Sequence, residues 1–312
     1  MITVTKAPPY LTIQDCGRKR SRSFGVPPGG AMDAFALQAA NAILGNELDA
    51  AALEWALGGG TIRFERDCGC AIAGASVHAT VGGRSIAPCT STIARAGDEL
   101  TVGQIDSGRF LYVAVSGGIA VPPLLGSRST YLPGKFGGLE GRNLKTGDVV
   151  EVTEAALPFA PVHCSAELIP RYDAGIVHVT PGPQENLFDD DGWRILCESE
   201  YRLANASDRT GYRLEGPALP KVPAALPSEP GCPGAIQIPG DGLPIVLMAD
   251  APTIGGYPKI AVVTESDLAI LAQRRPGDRI RFERASHDQS RRALRRRHAD
   301  LHAIRQLALS AR

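Results

Sequence analysis

The amino-acid sequence predicts a mainly β protein, in which two related β units are accompanied by a few short helices. The 312 residues include 35 glycines and 24 prolines, whereas only 5% are aromatic. Short runs rich in Val, Ile and Thr recur between turns of Gly, Pro and Asp, a pattern typical of the short strands of barrels and sandwiches. We therefore expect strands to dominate both halves of the chain.

A short phrase that occurs three times supports the division into two β units. A basic residue, one further residue and Gly-Asp precede an alternating strand pattern at Arg95, Lys145 and Arg275. We interpret the phrase as a turn that leads into a barrel strand, with the Asp side chain capping the backbone of its own turn. The third copy would close the second unit. An internal duplication stays open, because Gly-Asp turns also arise independently in β proteins.

The N-terminal half begins with strand patterns and contains the clearest helix of the body. Asp33 is a good N-cap for a helix predicted over residues 34–44, which is mostly apolar and should be largely covered. Further strands are predicted at residues 53–57, 62–65, 70–74, 77–81 and 110–116.

A glycine-rich loop over residues 126–144 carries the cationic side chains of Arg128, Lys135 and Arg142 and shows no apolar period. Cationic side chains beside exposed backbone amides suit a bound anion. The loop therefore predicts an anion-binding segment, and the alternative is a solvated connection between strands.

The domain bounds follow from shifts in composition. We expect an N-terminal β unit over residues 1–155, a Pro/Ala-rich linker over 156–174 and a C-terminal β unit over 175–284, with short helices near 185–196 and from Ser266 onward.

Residues 285–312 form a basic tail, either helical or disordered. From Arg284 to the last residue eight Arg stand against two Asp, a net charge of +6, so the body carries about −6. Such a body is not expected to bind nucleic acid.

The segment 234–263 combines two apolar strand patterns with charged residues at the rim of the predicted sheet. Asp250 follows the second apolar run, Gly255 and Gly256 allow close backbone approach or positive φ, and Lys259 follows a proline. A carboxylate and an ammonium are thus placed by stiff connectors. The alternative is an ordinary hairpin with solvated rim charges.

Several protein classes are excluded by the same sequence. No apolar run approaches the ~20 residues of a membrane span, and the N-terminus lacks the pattern of a signal peptide. Seven cysteines and six histidines show no metal-ligand spacing, so we expect free thiols in a reducing cytoplasm and no metal site.

Eight phrases, in order along most of the chain, carry a resemblance to a known family. They are Gln14-Asp-x-Gly-Arg18, Gly25-Val-Pro-x-Gly-Gly-Ala-Met-Asp33, Gly126-Ser-Arg-Ser-Thr-Tyr131, Gly137-Gly-Leu-Glu-Gly-Arg142, Pro181-Gly-Pro-Gln184, Ser207-Asp-Arg-x-Gly-Tyr-Arg-Leu-x-Gly216, Gly234-Ala-Ile-Gln-x-Pro-Gly-Asp-Gly242 and Gly255-Gly-Tyr-Pro-Lys259. The sequence resembles the biotin-dependent carboxyltransferase family, which includes the PxpC component of bacterial 5-oxoprolinase, the KipA regulator and allophanate hydrolase subunit 2.

The resemblance implies a cyclophilin-like β-barrel architecture and a role with partners. It implies an enzyme component that opens 5-oxoproline to L-glutamate with ATP hydrolysis, together with a KipI-like subunit (PxpB) and a LamB/YcsF-type subunit (PxpA). No biotinyl-lysine motif and no P-loop occur in this chain. We therefore expect no attached biotin and an ATP site that is formed with or by a partner.

The chemistry of this activity selects candidate residues. Phosphorylation of a lactam carbonyl develops negative charge, which cations and backbone donors stabilise, and the substrate nitrogen needs an acceptor. Asp250 and Lys259 would favour each other's charged forms if they faced each other in a partly dry cleft. The predicted catalytic residues are Asp250, Lys259 and Arg209, and the predicted substrate-binding residues are Gln237, Asp241, Arg128, Arg142, Gly255 and Gly256.

Two other functions fit the same resemblance. The chain would be the carboxyltransferase component of a urea carboxylase or allophanate hydrolase system if it acts on a urea-like amide. It would be a non-catalytic regulator if, like KipA, it binds a kinase inhibitor. Neither alternative is excluded by the residues alone.

Overall fold

A computed structural model of the protein describes residues 1–155, 160–222 and 226–310. The chain divides into two compact units: unit 1 contains residues 1–18, 29–170 and 297–312, and unit 2 contains residues 19–28 and 171–296. The units thus interleave along the chain, whereas the domain bounds expected from composition run consecutively, and those bounds stay a prediction. The first residues of the predicted linker, 156–159, lie outside the described residues.

Unit 1 is a curled antiparallel sheet, with nine strands in the part of the chain that the structure describes. The elements are β1 (Ile2–Lys6), β2 (Tyr10–Gln14), α1 (Ala34–Ile43), β3 (Ala52–Ala56), β4 (Gly60–Phe64), β5 (Cys68–Val81), β6 (Arg84–Ile86), β7 (Thr90–Ala94), β8 (Glu99–Val115) and β9 (Val149–Val150). The strand order is β2-β3-β8-β4-β1-β9, and β5 pairs with β6, β7 and β8.

The predicted helix of unit 1 is confirmed. α1 begins directly after Asp33, whose carboxylate accepts a hydrogen bond from the backbone N–H of Ala36 at 2.9 Å. Nearly all side chains of α1 are buried, as its apolar composition predicts. The predicted strands 70–74 and 77–81 are one long strand, β5, which bends at bulges near Gly74 and Ser76 and stays paired with β8.

Unit 2 contains a closed barrel of seven strands within the described residues. The barrel strands are β10 (Ile176–Pro181), β11 (Tyr201–Leu203), β12 (Gly211–Glu215), β14 (Ala235–Gln237), β15 (Ile245–Leu247), β17 (Lys259–Val263) and β18 (Arg279–Arg284), while β13 (Glu229–Pro230) and β16 (Ile254–Gly255) form a separate ribbon. The barrel order is β10-β17-β14-β15-β12-β11-β18, in which β10 and β18 are parallel and the other neighbours are antiparallel. The mainly β fold with two β units is therefore confirmed.

Among the described residues, three α-helices lie in unit 2 and at the end of the chain: α2 (Asp190–Glu198), α3 (Glu265–Ala272) and α4 (His287–Ser310). The basic tail is thus helical over residues 287–310, with Leu301, Ile304 and Ala308 buried. Across the described residues, every helix is too short or too polar to cross a membrane.

The interpretation of the repeated phrase as a turn is confirmed at all three positions. The Asp side chain accepts from the backbone N–H of the basic residue that opens the phrase, at 2.9, 2.7 and 2.8 Å for Asp98, Asp148 and Asp278. The glycine before each Asp has a φ of 88°, 94° or 92°, which L side chains rarely adopt. The turns lead directly into β8, β9 and β18, so the phrase encodes a strand start.

The glycine-rich loop 126–144 folds around a carboxylate of its own chain. Asp15 is buried and accepts hydrogen bonds from the hydroxyls of Ser127 and Ser129, at 2.6 and 2.5 Å, and from the backbone N–H of Arg128 at 2.5 Å. These donors are therefore occupied by Asp15. Binding of an external anion to this loop stays a prediction.

Gly137 in this loop is expected to be far less tolerant of alanine than Gly126, although both have left-handed backbone angles. A Cβ on Gly137 would lie 2.0 Å from the backbone oxygen of Ser129, whereas a Cβ on Gly126 would meet nothing within 4 Å. Gly126→Ala should cost about 1–2 kcal/mol from its φ alone, and Gly137→Ala about 1–3 kcal/mol more from overpacking. Urea unfolding of both variants measures the difference, and equal losses would contradict the expected clash.

The seven cysteines are free thiols, and several are buried in unit 1. Burial raises the pKa of Cys68 to about 11 and the pKa of Cys89 to about 12. Because the thiol has a pKa of ~8.5 in the unfolded chain, the stability that Cys89 contributes is complete below that pH and is lost as the pH rises toward 12.

By pH 10 the loss from Cys89 should reach roughly 2 kcal/mol relative to neutral pH. The free energy of unfolding, measured with urea at both pH values, should therefore decline less in a Cys89→Ala variant than in the wild-type protein. A parallel decline in the two proteins would show that this thiol is not protected from ionisation in the folded state.

Candidate functional site

Two predicted site residues form a buried ion pair in unit 2. Arg209 donates to both carboxylate oxygens of Asp250, from Nε at 2.8 Å and from Nη2 at 3.0 Å. The side chains are only 9% and 2% exposed. A backbone hydrogen bond of 2.9 Å, from Asp250 N–H to the Arg209 carbonyl, joins the same two segments. The pair therefore connects the loop before β12 to the segment after β15.

The hypothesis that Asp250 and Lys259 face each other is wrong. Lys259 forms its ion pair with Glu229, at 3.2 Å between Nζ and Oε2. Asp250 instead meets the planar guanidinium of Arg209, which engages both carboxylate oxygens at once, whereas an ammonium is a single point charge. A planar bidentate partner explains why Arg209 takes this position.

Lys259 belongs to a second group of polar side chains, which we call the Lys259 cluster: Gln184, Glu229, Gln237 and Lys259. Lys259 begins β17 and its side chain is 4% exposed, whereas that of Glu229 is 40% exposed. Gln184 bridges the ion pair: its Nε2 donates to Glu229 Oε2 at 2.6 Å, and its Oε1 accepts from the backbone N–H of Lys259 at 3.1 Å. A buried cation is thus held beside a carboxylate that reaches solvent.

The Pro-Gly-Pro-Gln phrase explains how Gln184 reaches Lys259. Gly182 donates its backbone N–H to the carbonyl of Ile260 at 2.9 Å, so the phrase runs directly along β17. A Cβ on Gly182 would lie 2.3 Å from the carbonyl oxygen of Lys259 and would clash with it, so only glycine fits at this position. The glycine therefore allows the close approach that positions Gln184.

Gln237 lies opposite Lys259 where β14 pairs with β17, and it is 7% exposed. Gly255 passes over it, since a Cβ on Gly255 would lie 2.9 Å from Gln237 Nε2. Neither Gly255 nor Gly256 has a positive φ. The sequence predicted either a positive φ or a close backbone approach for these glycines. Gly255 shows the close approach, and the group that its backbone approaches is the Gln237 side chain.

Gly255→Ala is expected to disturb the Lys259 cluster without unfolding the protein. The added Cβ meets the end of a flexible side chain, so Gln237 must move, at a stability cost of about 1 kcal/mol or less. Gly256→Ala is the matched control, because its Cβ would find its nearest atom at 3.5 Å, an ordinary contact. Only Gly255→Ala should lower an activity that depends on this cluster, whereas Gly256→Ala should leave it unchanged. Equal activity of the two variants would contradict a role for Gln237.

The other predicted binding residues have partners within their own units. Asp241 is exposed and accepts from the backbone N–H of Leu243 at 3.0 Å, as in a local turn. In unit 1, Arg128 is exposed and donates from Nε to the Val121 carbonyl at 2.9 Å. These residues do not belong to the Lys259 cluster, and their substrate-binding roles stay predictions.

Arg142, also in unit 1, is engaged by two carboxylates. It contacts Asp148 at 2.6 Å and Glu140 at 2.9 Å. Its hydrogen bonds to Asp148 lower the pKa of that carboxyl group, against the opposing effect of burial. Arg142 thus stabilises one of the Gly-Asp turns, and any role in substrate binding stays a prediction.

The sequence patterns did not place Gln184 or Glu229 beside Lys259. Gln184 had a signal, since it ends one of the phrases that carry the resemblance, but nothing there indicated its contact with Lys259. Glu229 lies in a Pro-rich segment without periodicity and had no signal. Both reach Lys259 only through the folded barrel.

The cluster has the chemistry of an anion site. An ammonium carries three N–H donors, and among the described residues Glu229 accepts one of those of Lys259. The other N–H donors of Lys259 and those of the Gln237 amide can bind a carbonyl or carboxylate oxygen of a substrate, whereas the Glu229 carboxylate can only accept hydrogen bonds. Within the described ranges, no group of three or more His, Cys, Asp or Glu side chains is arranged to hold a metal ion.

Comparison with known proteins reveals extensive similarity. A family model described as "Carboxyltransferase domain, subdomain A and B" matches residues 24–284. The chain is 37% identical over 294 residues to a protein of Escherichia coli (strain K12) that is named as the C subunit of 5-oxoprolinase, and the match covers 94% of each chain.

Similarity also extends to larger proteins. The chain is 34% identical over 313 residues to the urea amidolyase of Lachancea kluyveri, covering 92% of this chain and 17% of that protein. The crystal structure of the K. lactis urea amidolyase superposes with a TM-score of 0.91 at 30% identity, covering 97% of this chain and 20% of that one. The chain therefore spans about a fifth of the solved protein.

Proposed function

The chain belongs to the family of carboxyltransferase domains with subdomains A and B, and on this basis we propose that it is the PxpC component of an ATP-dependent 5-oxoprolinase. In this proposal it acts in the cytoplasm with a KipI-like subunit (PxpB) and a LamB/YcsF-type subunit (PxpA). The assembly opens the lactam of 5-oxoproline to L-glutamate. ATP binds with or through a partner, and this chain carries no biotin.

One observation carries the proposal. The similarity to the protein named as the C subunit of 5-oxoprolinase covers 94% of each chain at 37% identity. By contrast, the similarity to urea amidolyase covers only 17% of that larger protein. A protein that matches a separate subunit along nearly all of its length is best interpreted as the same kind of subunit.

The Lys259 cluster supports a direct part in the chemistry. Phosphorylation of the lactam carbonyl, or attack on it, develops negative charge on oxygen, and a preorganised cation stabilises this charge most strongly where water is excluded. Lys259 is such a cation, because its side chain is 4% exposed and its position is fixed by β17. We propose that the substrate oxygen takes the place of Glu229 at Nζ and that Glu229 moves toward solvent.

The test is reconstitution with both partner subunits. The complete mixture is expected to form L-glutamate and ADP in equal amounts from 5-oxoproline and ATP, and omission of this chain should abolish glutamate formation. Absence of glutamate from every combination of subunits would reject the proposal.

The second candidate is a carboxyltransferase component acting on urea or a related amide. The TM-score of 0.91 with the K. lactis urea amidolyase favours it. This candidate requires a carboxybiotinylated partner, so transfer of labelled carboxylate from such a partner to urea is the distinguishing measurement. A KipA-like regulator would show neither reaction but would still bind its partner.

A further inference from the structure

A histidine and an aspartate outside the Lys259 cluster form a dyad in unit 2. His178 on β10 and Asp267 in the first turn of α3 are joined at 2.7 Å between Nδ1 and Oδ2. The backbone N–H of His178 donates to the same oxygen at 2.8 Å. The two groups therefore hold each other in a fixed geometry.

The environment of Asp267 selects the tautomer of the neutral His178 ring. The other oxygen of Asp267 accepts from the Ser266 hydroxyl at 3.0 Å, and the aspartate side chain is 9% exposed. An ionised carboxylate only accepts hydrogen bonds, so Nδ1 of His178 carries the proton. In the neutral ring Nε2 is then an acceptor, and no other described residue donates to it.

His178 and Asp267 line a pocket of ≈ 170 Å³. Another wall comes from Ala285, two residues before α4, and from Gln289, Ser290 and Ala293 in the first two turns of α4. A cavity of about 150 Å³ is sufficient for a molecule of the size of benzene. Because the matched family region ends at residue 284, this wall lies beyond it.

The pocket walls indicate the chemical class of the ligand. Asp267 is the ionised carboxylate among the lining residues, and both of its oxygens are already bonded. An anionic ligand would meet the negative charge of Asp267, and a cationic ligand would lose its water beside a carboxylate whose two oxygens already accept hydrogen bonds. A neutral molecule with one N–H or O–H donor would satisfy Nε2 while its apolar part contacts Ala285 and Ala293.

We propose that this pocket is a binding site for a small uncharged molecule, an amide or an alcohol, that donates one hydrogen bond to Nε2 of His178. The site is independent of the Lys259 cluster and of the proposed 5-oxoprolinase activity. The dyad orients the acceptor nitrogen, and Ala285 and Ala293 supply apolar surface.

Titration of the ¹⁵N-labelled full chain with 2-pyrrolidinone tests the proposal, with the ring ¹⁵N resonances of histidine as the readout. His178→Phe assigns the signal of His178. The Nε2 resonance should shift and saturate with 2-pyrrolidinone, whereas N-methyl-2-pyrrolidinone, which has a similar shape but no N–H, should leave it unchanged. Acetate and methylammonium should bind at least tenfold more weakly.

Variants of α4 test the position of the ligand. Ala293→Phe fills the pocket and should abolish the shift, whereas Arg292→Ala, at an exposed position of the same helix, should preserve it. Ser290→Leu, at a half-buried position, serves the same purpose if Ala293→Phe fails to fold. The proposal is overturned if the wild-type protein shows no saturable shift, if the N-methyl or charged probes bind equally well, or if a folded pocket-filling variant still responds.

Discussion

Replacing Lys259 by Met is expected to lower kcat of the reconstituted enzyme by about 10²–10³-fold, the usual cost of removing one preorganised donor to a developing oxyanion. Met retains much of the apolar stem but removes the ammonium, so the substrate oxygen loses its buried cation. The measurement is the rate of L-glutamate formation at saturating 5-oxoproline and ATP. Lys221→Met is the matched control, because the same change is made at an exposed lysine.

The loss of activity should not reflect unfolding. Glu229 is 40% exposed to solvent and accepts a second hydrogen bond from Gln184 at 2.6 Å, so it is not left as a buried unpaired charge when Lys259 is removed. The stability cost from the lost ion pair is therefore expected to be below about 1 kcal/mol, as for other partly exposed pairs. Partner binding should also persist. A Lys259→Met variant with full activity would remove this lysine from the chemistry and favour a regulatory role.

Replacing Asp250 by Ala is expected to lower the free energy of unfolding by about 3–5 kcal/mol, as is typical when one partner of a buried ion pair is removed. The substitution leaves the Arg209 guanidinium, which is 9% exposed, without its bidentate carboxylate. Urea unfolding measures the effect. Because the sequence predicts catalytic roles for Asp250 and Arg209, this measurement separates a structural contribution from a catalytic one.

An exposed ion pair of the same unit is the control for Asp250→Ala. Arg202 and Glu215 lie 2.5 Å apart, with side chains 60% and 48% exposed. Glu215→Ala should therefore cost no more than about 1 kcal/mol. A double substitution of Arg209 and Asp250 by Met and Leu should be less destabilising than Asp250→Ala, because it leaves no buried charge. Equal effects of Asp250→Ala and Glu215→Ala would show that burial does not strengthen this pair.

Local features of the fold could be predicted from the sequence. The Asp33 cap and the three Gly-Asp turns involve hydrogen bonds between residues three positions apart. Such contacts form wherever the local backbone turns, so residue type and spacing determine them. The mainly β class followed from the same local signals, repeated along the chain.

Local patterns in the chain thus establish the class of fold, the turns and the presence of a lysine and an aspartate beside the last barrel strands. The partners of these two residues depend on the folded barrel instead. Asp250 binds Arg209, 41 positions away, and Lys259 binds Glu229, 30 positions away, with Gln184 at a separation of 75. Barrel closure brings together segments that no local spacing relates, and the planar guanidinium, rather than the ammonium, matches the buried carboxylate.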